Sequence, residues 1–162
     1  MFLCFIVLLC TYRNTMTTKL VIGSDHAGFE LKEKVKAFIS EKFKFNIHDV
    51  GTNSEDSTDY PDYAHDAANI IAKDLENTIG VLICGSGNGI SMAANKHAQI
   101  RCALCWQPEI AQLARLHNDA NILSLPSRFV SDEVAFDIVN MFLTTSFEGG
   151  RHERRVNKIA CS

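Results

Sequence analysis

The chain has 162 residues, 46% of them hydrophobic and 22% charged, with a formal net charge of -3 at neutral pH. That is the size and composition of one soluble globular domain with a single core. The slightly acidic balance gives no general attraction for nucleic acid or an anionic membrane, so any affinity for an anion has to come from local arginine and histidine.

Residues 1–15 open with the apolar run Met1-Phe-Leu-Cys-Phe-Ile-Val-Leu-Leu-Cys10. It has the length of a signal-peptide core but lacks a basic start and a small-residue cleavage site, and it is too short to span a bilayer. The expectation is an apolar extension outside the fold, with residues 16–162 forming the domain. Cysteines at 4, 10, 84, 102, 105 and 161 are too few and too irregularly spaced for a disulfide scaffold, and read as reduced thiols of a cytoplasmic protein.

From residue 19 onward, apolar runs alternate with amphipathic stretches. Residues 20–22 read as a strand, 29–42 as a helix with Leu31, Val35, Phe38 and Ile39 near helical spacing, and 45–50 as a second strand. Residues 61–76 read as a helix with Pro61 in its first turn, 79–84 as a strand, and 89–97 as a helix entered from a glycine-rich turn. A fourth strand is expected over 100–106, a helix over 108–116, a fifth strand over 121–125, and a final helix over 131–145, capped by Ser131. Cys102 and Cys105 form a C-x-x-C inside the fourth of these strands; with no second ligand pair in the chain, burial rather than zinc or redox chemistry is expected there.

Strict alternation of strand and helix predicts an α/β fold: one domain, a doubly wound, Rossmann-like parallel sheet of five strands with helices on both faces. In such sheets ligands sit outside the carboxyl ends of the strands, which directs attention to the residues after Ile22, Val50, Cys84, Trp106 and Leu125. No internal repeat, low-complexity segment or linker divides the chain.

The strongest local feature is Cys84-Gly-Ser-Gly-Asn-Gly-Ile-Ser91, a glycine-rich turn leaving a strand and entering a helix. Its backbone N–H groups can converge on a negative charge, and the helix dipole adds to that attraction. A dinucleotide site does not fit: the turn follows the third strand, its spacing is G-x-G-x-G, and about twenty residues on there is no acidic group for a ribose hydroxyl. Cys84 beside those amides suits a base or nucleophile, and equally suits a small buried core residue. Asp25-His26 follows the first strand, where Asp25 reads either as a helix cap or as a site residue, and His117-Asn118-Asp119 precedes the fifth; two histidines near the ligand edge point to acid–base work. Arg128 follows the fifth strand and Gly149-Gly-Arg-His-Glu-Arg-Arg155 lies near the C-terminus. Planar arginine forks hold two phosphate oxygens at once, and on a helix Arg151 and Arg155 would share a face.

Together these segments resemble the ribose-5-phosphate isomerase B family, which also includes galactose-6-phosphate isomerase subunits. The matching pieces are Gly23-Ser-Asp-His-Ala-Gly28, Asp59-Tyr-Pro-Asp-Tyr-Ala64, Cys84 to Ser91, Ala93-Ala-Asn-Lys96, His117-Asn-Asp-Ala-Asn121 and Gly150-Arg-His-x-x-Arg155, spanning nearly everything from residue 19 onward. The resemblance implies an aldose–ketose isomerase acting on ribose 5-phosphate and ribulose 5-phosphate in the pentose phosphate pathway. It also implies no metal or organic cofactor, and a homodimer or dimer of dimers whose active sites are shared between subunits. Carried over, Cys84 is the base between C1 and C2, and the amides of Gly85, Gly87, Asn88 and Gly89 hold the enediolate oxygen. His117 opens the sugar ring with help from Ser86, where many relatives have Thr. Asp25, His26 and Asn118 contact the sugar, and Arg128, Arg151 and Arg155 bind phosphate. Asn88 stands where relatives often carry an apolar residue. Two other expectations stay open: an isomerase of six-carbon phosphosugars such as galactose 6-phosphate or allose 6-phosphate, and a non-catalytic phosphosugar-binding module.

Overall fold

A computed structural model describes residues 19–160, so the expected extension over 1–15 lies outside the described residues. Five strands, β1 (Lys19–Ser24), β2 (Asn46–Asp49), β3 (Thr78–Cys84), β4 (Cys102–Leu104) and β5 (Ile122–Pro126), form one sheet. Between them run helices α1 (Phe29–Lys42), α2 (Tyr60–Ile71), α3 (Asn88–Ala94) and α4 (Pro108–Asn118); α5 (Asp132–Thr144) and the short α6 (Glu153–Val156) follow the last strand. No helix among the described residues is long and apolar enough to cross a membrane.

All pairings are parallel, and the order across the sheet is β2-β1-β3-β5-β4. The chain therefore winds outward from β1 in one direction and then crosses back, so that β1 and β3 lie side by side with their following segments leaving to opposite faces. This is the topological switch point, where the diverging connections open a crevice at the carboxyl edge.

Alternation along each strand sends side chains to two cores. Leu20, Ile22, Val81, Ile83, Leu123 and Leu125 pack with α1, α4 and α5, while Val21, Leu82, Cys84 and Ile122 pack with α2 and α3. Helices thus cover both faces of a doubly wound sheet, as the alternating sequence predicted.

Where the boundaries differ from expectation, local contacts explain it. The second helix stops at Ile71 instead of running to 76, because the amides of Lys73 and Asp74 turn back to the carbonyls of Ile70 and Ile71 in tighter i→i−3 bonds. The fourth strand is three residues long, shortened because it pairs on one side only and because Arg101 N–H is taken by the Asn121 side chain at 2.8 Å.

Among the described residues, one charged side chain is fully buried. Lys32 on α1 has none of its side chain exposed and donates to Asp49 Oδ2 at 2.7 Å and to the Thr52 carbonyl at 2.9 Å. Asp49 also accepts from Lys36 at 2.6 Å and from the Gly51 amide at 2.9 Å, and the Thr52 amide donates to Ser24 O at 3.0 Å. The network thereby lays the segment after β2 across the carboxyl end of β1. Burial alone would raise the Asp49 carboxyl, but the two lysines and the Gly51 amide outweigh it and hold it below its ordinary value of 3.8. With a native value depressed, this contribution to stability is complete above the ordinary carboxylate range and is lost as pH falls through the depressed value. Lys32→Met leaves Asp49 with Lys36 and the Gly51 amide, and is expected to cost about 3 kcal/mol in urea unfolding; a loss under about 1 kcal/mol would contradict the structural weight given to this pair.

Candidate active site

At the switch point the turn after β1 faces the turn after β3. Asp25 caps a 3₁₀ turn over His26–Gly28 by accepting the Gly28 amide at 3.1 Å, so its role as a cap and its place at the carboxyl edge hold together. Burial pushes its carboxyl above 3.8, opposed by the Gly28 amide, by the His26 and Arg128 charges and by the Ala27 amide. His26 Nδ1 lies 3.2 Å from the Thr58 amide nitrogen and 3.3 Å from the Thr58 carbonyl oxygen, so Thr58 anchors the ring in either tautomer. Gly28 can approach β3 only because it lacks a side chain: a Cβ there would stand 2.6 Å from the Ile83 carbonyl oxygen.

Cys84 ends β3 with 4% of its surface exposed, and the chain then turns through Gly85, Ser86 and Gly87 into α3. Gly87 has φ of 72°, left-handed backbone that favours glycine, and a Cβ there would run into the Leu104 side chain. Its carbonyl is braced by the Ser124 hydroxyl at 2.8 Å. The first helical bond runs from Ser91 N to Gly87 O, so the amides of Asn88, Gly89 and Ile90 have no acceptor within α3. Only the Asn88 amide is partly engaged, by Ser86 Oγ at 3.4 Å. The turn therefore presents free donors beside a thiol, the arrangement that stabilises an oxyanion formed next to a base. Arg128 lies over the same turn, its Nε 3.2 Å from where a Cβ of residue 85 would be, and the Tyr60 ring covers Gly89, its Cζ 2.5 Å from that residue's would-be Cβ. Tyr60, Thr58, Ser124 and Ser127 had no role in the sequence reading; only Tyr60 lay in a quoted motif, and the others act through contacts between distant segments.

Burial raises both Cys102 and Cys105, Cys105 to about 12, so both stay neutral thiols; Cys105 is buried as expected, but β4 is an edge strand and leaves Cys102 only half-buried.

The remaining candidates are elsewhere. His117, expected near the ligand edge, lies at the opposite one. A helix that follows a parallel strand runs back to the amino edge, and α4 ends there: Arg101, just before β4, donates through Nε to the carbonyls of Asn118 at 3.1 Å and Asp119 at 2.8 Å. In register, Cys102 pairs with Ile122 and Ile122 with Gly80, so Cys84 sits four residues further up the sheet, about 13 Å. The C-terminal arginines share the amino edge. The Glu148 amide binds Leu116 O at 3.1 Å, the His152 ring stacks on His117 with centroids 4.2 Å apart and planes at 5°, and Arg151 Nε donates to His152 Nε2 at 3.3 Å. Arg151 belongs to the turn before α6 rather than to the same helix as Arg155, but Arg155 Nη1 reaches back to the Arg151 carbonyl at 3.2 Å.

His117, Glu148 and His152 hold ligand atoms within 4.8 Å of one another. Both ring Nε2 atoms approach the same Glu148 carboxylate oxygen, at 3.7 and 3.8 Å, and burial, with His117 and Arg151, pushes the His152 ring below its ordinary value against the opposing pull of Glu148. The candidate residues thus fall into two groups: Asp25, His26, Cys84 to Gly89 and Arg128 on the carboxyl edge, and His117, Asn118, Arg151 and Arg155 on the amino edge.

A thiol beside an amide-rich turn, at the switch point of a doubly wound sheet with an arginine over the turn, fits a class: an α/β enzyme for small anionic substrates. Within that class the chain belongs to the ribose/galactose isomerase family, whose pattern matches residues 20–159. It is 47% identical over 141 residues to ribose-5-phosphate isomerase B of Escherichia coli, covering 87% of this chain and 93% of that protein. Among solved structures, the ribose 5-phosphate isomerase of Thermotoga maritima is 52% identical with a TM-score of 0.85, over 90% of this chain and 99% of that one. Ribose-5-phosphate isomerase B of Mycoplasma genitalium, solved with bound ribulose 5-phosphate, is 43% identical with a TM-score of 0.85, over 89% of this chain and 95% of that one.

Proposed function

We propose that this chain is an aldose–ketose isomerase interconverting D-ribose 5-phosphate and D-ribulose 5-phosphate, with each active site built from the carboxyl-edge half of one subunit and the amino-edge half of another. The observation that carries the reading is Cys84 at the switch point, leading directly into the free amides of the Gly87 turn.

In this reading His117 of the partner subunit, assisted by Ser86, moves the proton that opens the sugar ring. Cys84 then takes the proton from C2, and the electron pair moves onto the C1 carbonyl oxygen to give a cis-enediolate held by the amides of Gly85 to Gly89. Returning the proton to C1 while the O2 proton passes to O1 leaves the ketose, so nothing is gained or lost overall. Asp25, His26 and Asn118 hold the sugar hydroxyls. Arg128, Arg151 and Arg155 hold the phosphate, whose binding energy positions carbons remote from it. No step requires a metal or an organic cofactor.

A shared site is supported by chain direction, since His117 ends α4 by the amino edge while Cys84 ends β3 at the carboxyl edge, about four residues or about 13 Å of strand away. A second copy is also supported by large apolar side chains left open to solvent, among them Met92 at 63%, Trp106 at 51% and Phe129 at 74% exposure, near an edge strand that pairs on one side only. The reaction is a step of the pentose phosphate pathway, and reduced Cys84 fits the cytoplasm.

The test is conversion of ribose 5-phosphate by the purified protein, with and without EDTA, beside galactose 6-phosphate and allose 6-phosphate. Ribulose 5-phosphate formation unaffected by EDTA is expected. Turnover of the six-carbon sugars alone would move the substrate, and binding without turnover would leave a phosphosugar-binding module.

A further inference from the structure

We propose that Ser127 is a positioning residue that fastens the Asp25–His26 turn to the Cys84 turn; the inference rests on the isomerase reading of the site. Ser127 follows directly on β5, whose last residue, Pro126, pairs with Cys84. The two strand ends stay joined beyond the sheet, with Ser127 N–H donating to Cys84 O and Arg128 N–H to Gly85 O, both at 3.0 Å. The Ser127 hydroxyl is 2.8 Å from the Ala27 carbonyl and 3.2 Å from the Cys84 carbonyl. A hydroxyl has one proton to give. The shorter contact takes it, and the Cys84 carbonyl is already held by the Ser127 amide. The hydroxyl is therefore what ties the turn after β1 to the ends of β3 and β5, across 100 residues of sequence.

This bond is not needed to make any helix or strand. On the β3 side the same turn rests on Ile83, with Gly28 fitted so closely that a Cβ would clash. Ser127 holds it from the β5 side, so the Asp25 carboxyl and the His26 ring keep a fixed distance from the thiol. Ser127 touches no reacting atom; it acts through Ala27 and Cys84. Errors of about 1 Å in such placements cost roughly 100-fold in rate.

The experiment compares Ser127→Ala and Ser127→Thr with the parent, as full-length protein. For Ser127→Ala, kcat is expected to fall about 10- to 100-fold with KM within about threefold and the thermal midpoint within a few degrees. Ser127→Thr, which keeps the hydroxyl, is expected to recover kcat to within about threefold of the parent. Unchanged kcat in the alanine variant, or no recovery in the threonine variant, would overturn the proposal. A second readout needs no turnover: backbone amide exchange over residues 26–28 is expected to quicken about tenfold in Ser127→Ala while β3 and β5 keep their protection. Equal exchange in the two proteins would overturn the proposal even if the parent failed to isomerise ribose 5-phosphate, a result that would sink the isomerase reading by itself.

Discussion

Cys84→Ala is expected to lower kcat for ribose 5-phosphate by about 1,000-fold or more while KM stays within a few-fold, measured by steady-state formation of ribulose 5-phosphate. The asymmetry follows from what the thiol does. In the proposed mechanism it takes part when the C2 proton leaves and contributes little to ground-state binding, which that mechanism assigns to the arginines and to the polar groups of the β1 turn. A positioned base is typically worth about 100- to 10,000-fold, and without one the amide turn would still stabilise an enediolate that no group helps to form. The fold should tolerate the change, because Cys84 is a small buried side chain on the α2 and α3 face and alanine fits the strand. Removing one buried heavy atom costs on the order of 1 kcal/mol, small against typical domain stability. Cys84→Ser serves as a second variant of nearly the same size, whose hydroxyl is a far weaker acid than a thiol and so stays protonated instead of supplying an anionic base. Activity above a tenth of the parent's in either protein would remove Cys84 from the mechanism.

The sheet and its helices were legible because local signals and packing agree. The helix Phe29–Lys42 was read to the residue: Leu31, Val35 and Ile39 repeat at helical spacing, and the chain leaves helical geometry at Phe43. Cys84 and its turn were also legible, since a strand running into closely spaced glycines says where the backbone must bend and where amides become free. The edge on which His117 lies was misjudged. A motif rich in His, Asn and Asp looks like a ligand loop, but in a parallel sheet a segment that precedes a strand belongs to its amino end, and the order of elements alone decides this. Thr58, Ser124 and Ser127 could not be read from sequence at all. Their partners, His26, Gly87 and Ala27, are 32, 37 and 100 residues away, and no local pattern records such bonds.

Misplacing His117 leads to the sharpest test of assembly. Cys84→Ala and His117→Ala are each expected to be inactive alone and to recover activity when their subunits are mixed and allowed to exchange. In a two-fold dimer with shared sites, a hybrid of the two variants has one site carrying both lesions and one carrying neither. Random exchange makes half of the dimers hybrids, so recovery should approach about a quarter of parent activity per subunit. Arg151→Ala in place of His117→Ala should complement Cys84→Ala in the same way, since both residues lie on the amino edge beside His152. The control uses two lesions on one edge. Arg128 lies over Gly85 in the same half-site as Cys84, so a hybrid of Cys84→Ala with Arg128→Ala has no intact site and should stay at the level of the separate variants. Recovery in the first two mixtures together with silence in the third would require catalysis across the subunit boundary. Silence in all three, with exchange verified by mass spectrometry of the hybrids, would mean that His117 and Arg151 do not serve the site of a neighbouring Cys84, and the amino-edge cluster would then need another role.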